Sequence, residues 1–375
     1  MAKAPATFSL KDQLFNADSL GDLADEFAAG VPGFDRDGFH VAALSGIAER
    51  SLMECLDWFA DCAEPHLASD FPAMADQLEA AMPPRLDPSL RDNDFGRFIH
   101  AVPGVLAVRH GLEAHRDRAL DLLYAATQRF SMEFYIRPFL NRWPEETLAR
   151  LATWAGDGNY HVRRLVSEGT RPKLPWARKV ELTQDQTLPL LERLQADPTR
   201  FVTRSVANHL NDVAKSDPEA VLGRLSAWEA DGSQGAKERD WMRRHALRTL
   251  VKDGHAGAMD MLGYRGDADV SVSLDVATPS VALGEALEFS VTLEAGDALP
   301  VLVDYRIRFA RPNGKTGEKV FKLKVAEVKP GTPLVLKKVH KLKANATTFE
   351  LHPGSHGLVV QVNGVDRAEA SFEIV

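Results

Sequence analysis

The spacing of hydrophobic residues changes near residue 266 of this 375-residue chain. Before that point, apolar positions recur every three or four residues in segments such as LGDLADEF, IAERSLMECLDWF, ALDLLYAATQRF and LPLLERL. This spacing is typical of amphipathic helices with one buried face. We therefore expect the first part of the chain, residues 1–265, to be helical.

After about residue 268 apolar and polar residues alternate, which indicates half-buried strands. The alternation occupies seven segments: VSVSLDV, LEFSVTL, VDYRIRF, KVFKLKV, LVLKKVH, GLVVQV and ASFEIV. Pro312-Asn313-Gly314 and Asn363-Gly364 are typical of hairpin turns. The pattern predicts a small all-β immunoglobulin-like sandwich over residues 268–375, after a short linker around 263–266. It lacks the Cys…Trp…Cys signature of antibody domains.

The helical part contains an internal repeat of 40 residues. The spacing superimposes several positions: Asp157 on Asp197, Val162 on Val202 and Met242, Val166 on Val206 and Ala246, and Arg164 on Arg204 and Arg244. A period near 40 with two helices per unit is typical of HEAT or armadillo-like repeats. We therefore predict a mainly α, right-handed HEAT-like solenoid with an extended concave face.

Composition excludes several classes of protein. Hydrophobic residues make up 45% and charged residues 26% of the chain, as in ordinary globular domains. The chain contains no run of 18 apolar residues, so we expect no membrane span, and the N-terminus lacks a signal-peptide pattern. Cys55 and Cys62 lack metal-binding spacing, so we predict a buried, reduced pair in a cytoplasmic protein.

Charge is distributed unevenly around the net value of −8. Residues 1–100 carry 18 acidic and 7 basic side chains, whereas residues 129–180 carry 10 basic and 5 acidic ones. A basic strip on an acidic body is compatible with DNA binding, because local potential attracts the phosphates. Solvated helix faces are the alternative. Residues 306–343 carry 12 basic and 2 acidic side chains, which indicate either a solvated sheet or a wider DNA footprint.

Arginines at equivalent repeat positions predict an anion-binding surface. Arg164, Arg204 and Arg244 should form a ladder on the concave face, with Arg163 and Arg243 in a second, partial one. A guanidinium binds phosphate oxygens through two parallel hydrogen bonds and stays charged. The alternative is pairing with acids of neighbouring repeats, for which Asp157, Asp197, Glu238 and Asp240 are available.

Two carboxylates stand out in the stretch 131–177, which is dense in Arg, Trp and acidic residues. Glu168 falls roughly on one helix face with His161 and Arg164, and Glu133 precedes Arg137 by four residues. They are either structural ion-pair partners or groups that stabilise positive charge, as cleavage of a glycosidic bond requires. Trp143 and Trp176 add faces for a cationic base or a deoxyribose, or else pack in the core.

Metal and cofactor chemistry is not indicated. His110/His115 and His352/His356 form separate short pairs without a third ligand. Nucleotide-binding, serine-hydrolase and deaminase motifs do not occur. We expect no cofactor.

One long motif resembles a known family. The run S-x-E-F-x-I-R-P-F…N-x-H-V-R-R-L-V-S-E-G-x-R-P-x-L-P-W is carried by Ser131, Glu133, Phe134, 136–139, Asn159, 161–169, Arg171, Pro172, Leu174, Pro175 and Trp176. It resembles the DNA alkylation repair glycosylases of the AlkC/AlkD superfamily, the AlkC branch in particular. Some AlkC members also carry a C-terminal immunoglobulin-like domain, so the resemblance covers nearly the whole chain.

The resemblance implies a monofunctional DNA glycosylase of base excision repair. Such an enzyme hydrolyses the N-glycosidic bond of cationic bases, 3-methyladenine and 3-methylcytosine, in duplex DNA without flipping the base into a pocket. Glu133 and Glu168 match the acidic positions, and Trp176 matches the aromatic position beside the lesion. The AlkD branch places an Asp between tryptophans, and this chain lacks that arrangement. A cationic base departs as a neutral molecule, so no general acid is needed.

The implied partner is double-stranded DNA containing alkylated bases, bound by a monomer with no membrane contact. The expected catalytic residues are Glu133 and Glu168. The expected DNA-binding residues are Arg137, His161, Arg163, Arg164, Arg171, Lys173, Trp176, Arg204 and Arg244. The alternative is a non-enzymatic HEAT-type scaffold or a lesion-binding protein. A scaffold would leave the two glutamates apart or fully ion-paired.

Overall fold

Helices occupy the chain as far as Met261 and strands begin at Val270 in the computed structural model, which describes residues 9–89, 94–311, 316–342 and 351–375. The described helical part contains sixteen α-helices together with short 3-10 and π-helical turns. Helices α1 to α8 span Leu10–Leu14, Ala17–Gly30, Arg36–Ser45, Leu52–Ala63, Phe71–Ala80, Val102–Leu106, Arg116–Thr127 and Ile136–Arg142. Helices α9 to α16 span Pro144–Trp154, Tyr160–Gly169, Gln184–Leu194, Arg200–Val213, Pro218–Asp231, Ala236–Ala246, Arg248–Lys252 and Ala256–Met261.

Polar caps set where many of these helices begin. The Asn16 side chain accepts hydrogen bonds from the first turn of α2, and Ser51 and Glu54 form a capping box on α4. The Asn159 side chain accepts from the backbone of His161 and so starts α10. Each cap satisfies N–H groups that the helix itself leaves unpaired.

Helices α10, α12 and α14 reproduce the 40-residue spacing. In sequence order, α10 packs on α12 and α12 on α14. Val162, Val202 and Met242 occupy equivalent, fully buried positions. The loops before α10 and α12 are also equivalent, because Asp157 accepts a hydrogen bond from the Asn159 N–H (2.7 Å) and Asp197 from the Thr199 N–H (2.9 Å).

Eight strands form two sheets in the described residues from Val270 onward, where no helix occurs. Strands β1 to β8 span Val270–Val276, Ser280–Val281, Ala286–Ala295, Leu299–Ala310, Thr316–Val328, Leu334–Lys341, Gly354–Val362 and Val365–Ile374. One sheet has the order β1-β3-β6 and the other β2-β8-β7-β4-β5. The seven predicted segments coincide with strands, apart from Val375 at the end of the last one, and the two-residue β2 is the strand that alternation could not reveal.

The facing sides of the two sheets enclose the core of this region, which includes Phe289, Tyr305 and Phe372. Asn363 and Gly364 have φ values of 50° and 79°, as a type I′ turn between β7 and β8 requires. That predicted turn is confirmed. The turn expected at residues 312–314 lies outside the described residues.

The chain folds into two compact units. One comprises Met1–Ser216 and Ser226–Ala246, and the other comprises Asp217–Leu225 and Leu247–Val375. The second unit therefore includes α15 and α16 as well as the strands. Within it, the Asn363 side chain donates to the Arg265 carbonyl (3.0 Å) and Arg367 donates to the Gly266 carbonyl (2.8 Å). These bonds join the segment after α16 to the β7–β8 hairpin.

The described helices include none with the length and apolar character needed to cross a bilayer. Cys55 is buried and Cys62 is half-buried, and both thiols are free. Burial raises the pKa of Cys62 to about 11.

Candidate functional site

Alternating charges form a chain of contacts in the helical unit. Arg164 bonds to Glu133 (2.7 Å) and approaches Glu168 (3.7 Å). Arg171 bonds to the other side of Glu168 (2.6 Å) and to Asp212 (2.9 Å), which accepts from Lys215 (3.0 Å). We call this set the charge chain; its members are Glu133, Arg164, Glu168, Arg171, Asp212 and Lys215.

Local structure explains why these side chains meet. Arg164 and Glu168 are four residues apart on α10 and so share one face of that helix. Glu133 comes from the segment before α8, and Asp212 from the last turn of α12. Serine hydroxyls add to both glutamates: Ser131 donates to Glu133 and Ser205 to Glu168, each at 2.6 Å.

The two glutamates differ in whether a carboxylate oxygen remains without a hydrogen bond. Both oxygens of Glu168 are occupied, Oε1 by Arg171 and Oε2 by Ser205, and its side chain is 6% exposed. The Glu133 side chain is 14% exposed, and its hydrogen bonds from Ser131 and Arg164 both end on Oε2. Among the carboxylates of the charge chain, and within the described residues, Oε1 of Glu133 is therefore the oxygen left for a ligand.

Electrostatics keep the central pair ionised. Burial alone would raise the pKa of Glu168, but the guanidiniums of Arg164 and Arg171 outweigh it, and the pKa lies below its ordinary value. Burial would likewise lower the pKa of Arg164, yet Glu133 and Glu168 raise it. The site thus holds fixed charges of both signs in a place that water reaches poorly.

Arg137 has a different place from the one expected. It is fully buried and donates to the backbone carbonyls of Gly169 (3.0 Å), Arg171 (2.9 Å) and Arg178. Burial, with a contribution from Arg171, lowers its pKa to about 10. Because the side chain is fully buried, no surface is left for a phosphate, which corrects the expected DNA contact: Arg137 instead holds the start of the loop after α10 to Arg178 farther along it.

His161 is buried, which corrects its expected DNA contact, whereas Arg163 is partly exposed and its DNA contact stays a prediction. The His161 ring packs between the rings of Tyr160 and Phe201, and burial lowers its pKa to about 4. Arg163 bonds to Asp197 (2.6 Å) and to the Asp157 carbonyl (2.8 Å), so it joins neighbouring repeats. Asp197 is one of the carboxylates that the sequence offers as an alternative partner for these arginines.

The expected arginine ladder is graded rather than uniform. Arg164 is buried in the charge chain, Arg204 is half-buried against Phe95 and Phe201, and Arg244 is exposed. Arg171 is also buried, by Glu168 and Asp212. Arg243, expected in the second row, bonds to Glu229 (2.8 Å) and Asp240 (3.1 Å).

Lys173 and Trp176 lie on the loop that Arg137 fastens, and both are exposed. Trp176 is 68% exposed and has a φ of 62°, which is uncommon for a residue other than glycine. Trp143, by contrast, donates to the Leu112 carbonyl (2.8 Å) and lies beneath the guanidiniums of Arg142 and Arg116. It is therefore a helix-packing residue and not part of this site.

The basic run of the β region also divides. Arg306 and Arg308 pair with carboxylates on their sheet, whereas Lys322, Lys324, Lys337 and Lys341 are exposed.

Sequence reasoning missed Asp212, Ser205 and Phe95. Asp212 lies 41 residues after Arg171, close to one repeat, and that spacing was the available signal. Among the described residues no group of three or more His, Cys, Asp or Glu could hold a metal ion.

Two family models match this chain. A family model described as "DNA alkylation repair enzyme" matches residues 129–250. Another, described as "Uncharacterised protein YhaZ, C-terminal Ig-like domain", matches residues 271–375.

Two proteins are similar over most of the chain. The uncharacterised protein YhaZ of Bacillus subtilis (strain 168) is 32% identical over 270 residues, which cover 71% of this chain and 74% of that protein. The structure of Pseudomonas fluorescens alkylpurine DNA glycosylase AlkC, bound to DNA containing an abasic site analog, is also similar. It matches with a TM-score of 0.82 and 32% identity, covering 98% of this chain and 100% of that one.

Proposed function

Because this chain belongs to the AlkC-like branch of the DNA alkylation repair family, with a C-terminal immunoglobulin-like domain, we propose that it is a monofunctional DNA glycosylase of base excision repair. Its substrates are cationic alkylated bases in duplex DNA, 3-methyladenine and 3-methylcytosine. The base stays within the duplex and is not flipped into a pocket.

The reaction breaks the bond between C1′ of the deoxyribose and the base nitrogen. The bonding electrons pass to the base, which loses its positive charge and departs neutral. Water then adds to C1′ and releases a proton, which leaves an abasic site. The sugar carries positive charge in the transition state, so a fixed carboxylate beside it lowers the barrier.

The observation that carries the proposal is the Arg164 guanidinium held between Glu133 and Glu168. Arg164 anchors Oε2 of Glu133 and leaves Oε1 open. We assign that oxygen to the sugar cation and to the orientation of the attacking water. Glu168 adds its negative charge to the field and fixes the direction of Arg164.

DNA binding is assigned to the exposed residues of the predicted set, Lys173, Trp176 and Arg244. The cations neutralise phosphates, and Trp176 packs beside the lesion. The repeated packing of α10, α12 and α14 supports a HEAT-like solenoid as the surface that presents them.

The test is incubation with methylated duplex DNA, followed by chromatography of released bases. We expect free 3-methyladenine and 3-methylcytosine, one abasic site per released base, intact strands and no effect of chelators. The Glu133→Gln protein is the matched control. Tight binding of methylated DNA with no released base would contradict the glycosylase assignment.

That outcome would instead support a lesion-binding protein. Glu168 is fully occupied by Arg171 and Ser205, as expected of a structural ion-pair partner. The same assay separates the two functions, because a lesion-binding protein would prefer methylated duplex yet leave every glycosidic bond intact.

A further inference from the structure

Two aromatic side chains are exposed in the described helical unit, and one of them, Phe95, contacts Arg164 of the charge chain. Trp176 is 68% exposed and Phe95 is 46% exposed. Within the described residues, they are the two aromatics among the exposed large hydrophobic side chains. A single exposed apolar side chain is ordinary on a protein surface, so exposure alone assigns neither ring a role. Trp176 belongs to the family motif, whereas Phe95 lies outside it.

Phe95 packs directly against the site. Its ring meets the ring of Phe201 edge-on, with centroids 5.0 Å apart. The guanidinium carbon of Arg164 lies 5.7 Å from the Phe95 centroid and 4.6 Å from that of Phe201. Because Arg164 also bonds to Glu133, one guanidinium separates the Phe95 ring from the proposed catalytic carboxylate.

The backbone fixes the position of this ring. Gly96 has a φ of 66° and pairs with Phe130 in an isolated β-bridge. A Cβ at residue 96 would lie 1.8 Å from the carbonyl oxygen of Arg129, so only glycine permits this approach. Phe130 precedes Ser131 and Glu133 in the chain. Phe95 and Glu133 are therefore held on two segments whose backbones are paired.

We propose that Phe95 is a specificity-determining residue that packs on the nucleoside at the lesion and favours damaged over intact duplex. This role rests on the proposed function, since it requires DNA at the site. A phenyl face stacks on a base or covers a deoxyribose, and it gains most where pairing and stacking are already weakened. An intact duplex keeps its bases stacked and therefore offers this ring little base or sugar surface to contact.

The experiment measures affinity for a duplex containing an abasic-site analog and for the same duplex undamaged. Stacking contributions measured by alanine substitution predict that Phe95→Ala weakens binding to the abasic duplex by roughly 5- to 100-fold. Affinity for the undamaged duplex should stay unchanged. Phe95→Tyr should restore the preference. Gly96→Ala should reproduce the loss, because the added methyl group displaces the ring. Val41→Ala, which truncates an apolar side chain that is 69% exposed on α3, is the matched control.

Equal loss on both duplexes, or no loss on either, would overturn the assignment. Thermal unfolding of each variant checks folding, and Phe95→Leu keeps apolar volume if the alanine variant is unstable. The binding assay needs no cleavage, so the two proposals fail separately. Base release by wild-type protein with unchanged preference in Phe95→Ala would refute Phe95 alone. Preference without base release would refute the glycosylase and leave the Phe95 test intact.

Discussion

The helical and β units both contain arginine–carboxylate networks, but they place them differently. In the charge chain, the side chains of Arg164, Glu168 and Asp212 are 9%, 6% and 3% exposed. On the outer face of the β sheet, Arg308 and its partner Glu369 are 32% and 57% exposed. Exposed pairs contribute little to stability, whereas an unpaired charge in a buried network is costly. Burial of the charges, and not the number of ion pairs, therefore distinguishes the site.

The largest effect is expected from Glu168→Gln. Removing this charge leaves Arg164 and Arg171 with one carboxylate fewer, and breaking a buried pair costs about 3–5 kcal/mol in the free energy of unfolding. Base excision should fall as well, because Arg164 loses its second partner. Denaturant unfolding and single-turnover excision measure both. Glu318→Gln on the β sheet is the control, and equal stability changes in the two variants would show that burial does not set the cost of losing a carboxylate.

Glu133→Gln should lower the rate of base excision with little change in stability. Glutamine keeps an oxygen that can accept from Arg164, and the side chain is partly exposed, so stability should change by less than about 1 kcal/mol. The excision rate should fall on the order of 10²–10³-fold, as when one electrostatic contact to the transition state is lost. DNA binding should survive because phosphate contacts dominate affinity. A near-wild-type rate would remove Glu133 from the mechanism, and joint loss of binding and rate would indicate a structural role.

A buried histidine near the charge chain, His209, makes the stability of the protein depend on pH. His209 is fully buried, its Nδ1 lies 3.2 Å from the Ser167 carbonyl, and burial lowers its pKa from 6.5 to about 4. Between these values the unfolded chain binds a proton that the folded chain excludes. The contribution is therefore present above pH 6.5 and is lost as the pH falls towards 4, by up to about 1.4 kcal/mol per pH unit.

His209→Gln should flatten this slope in melting curves recorded at several pH values, and His40→Gln on α3 is the control. The same slope in wild type and His209→Gln would show that His209 is not the group responsible.

A smaller effect is expected at Arg244, the exposed end of the graded row. Arg244→Ala should weaken binding to damaged and undamaged duplex alike and reduce the salt dependence by about one unit of slope. Arg163→Ala should instead lower the melting temperature, because it unpairs Asp197. Titrations at several salt concentrations distinguish the two. An unchanged slope in Arg244→Ala would exclude the phosphate contact.

The smallest effect belongs to the β sheet. Arg308→Ala removes exposed pairs with Glu318 and Glu369 and should change the free energy of unfolding by less than about 1 kcal/mol. Chemical denaturation measures this directly. A loss as large as that of Glu168→Gln would show that exposure does not separate the two networks.

Local pattern was enough to predict several features of this protein. Alternation located seven strands, because side chains of a strand point to opposite faces whatever packs on them. Asn363-Gly364 identified its turn, because few other residues adopt two successive positive φ values. The 40-residue register of α10, α12 and α14 was likewise visible in the buried positions that Val162, Val202 and Met242 share. The motif that resembles a family singles out Glu133 and Glu168, and the structure brings both carboxylates to Arg164.

Tertiary structure alone decided which charges face solvent. Arg164, Arg204 and Arg244 are equivalent in the repeat, yet they are buried, half-buried and exposed. The difference arises because Glu133 and Phe95, which lie outside the repeat, pack against its first members. Arg137 turns inward because a loop some forty residues later brings its carbonyls to it. A guanidinium binds a carboxylate, a carbonyl or a phosphate with similar geometry, so its partner depends on which distant segment the fold places beside it.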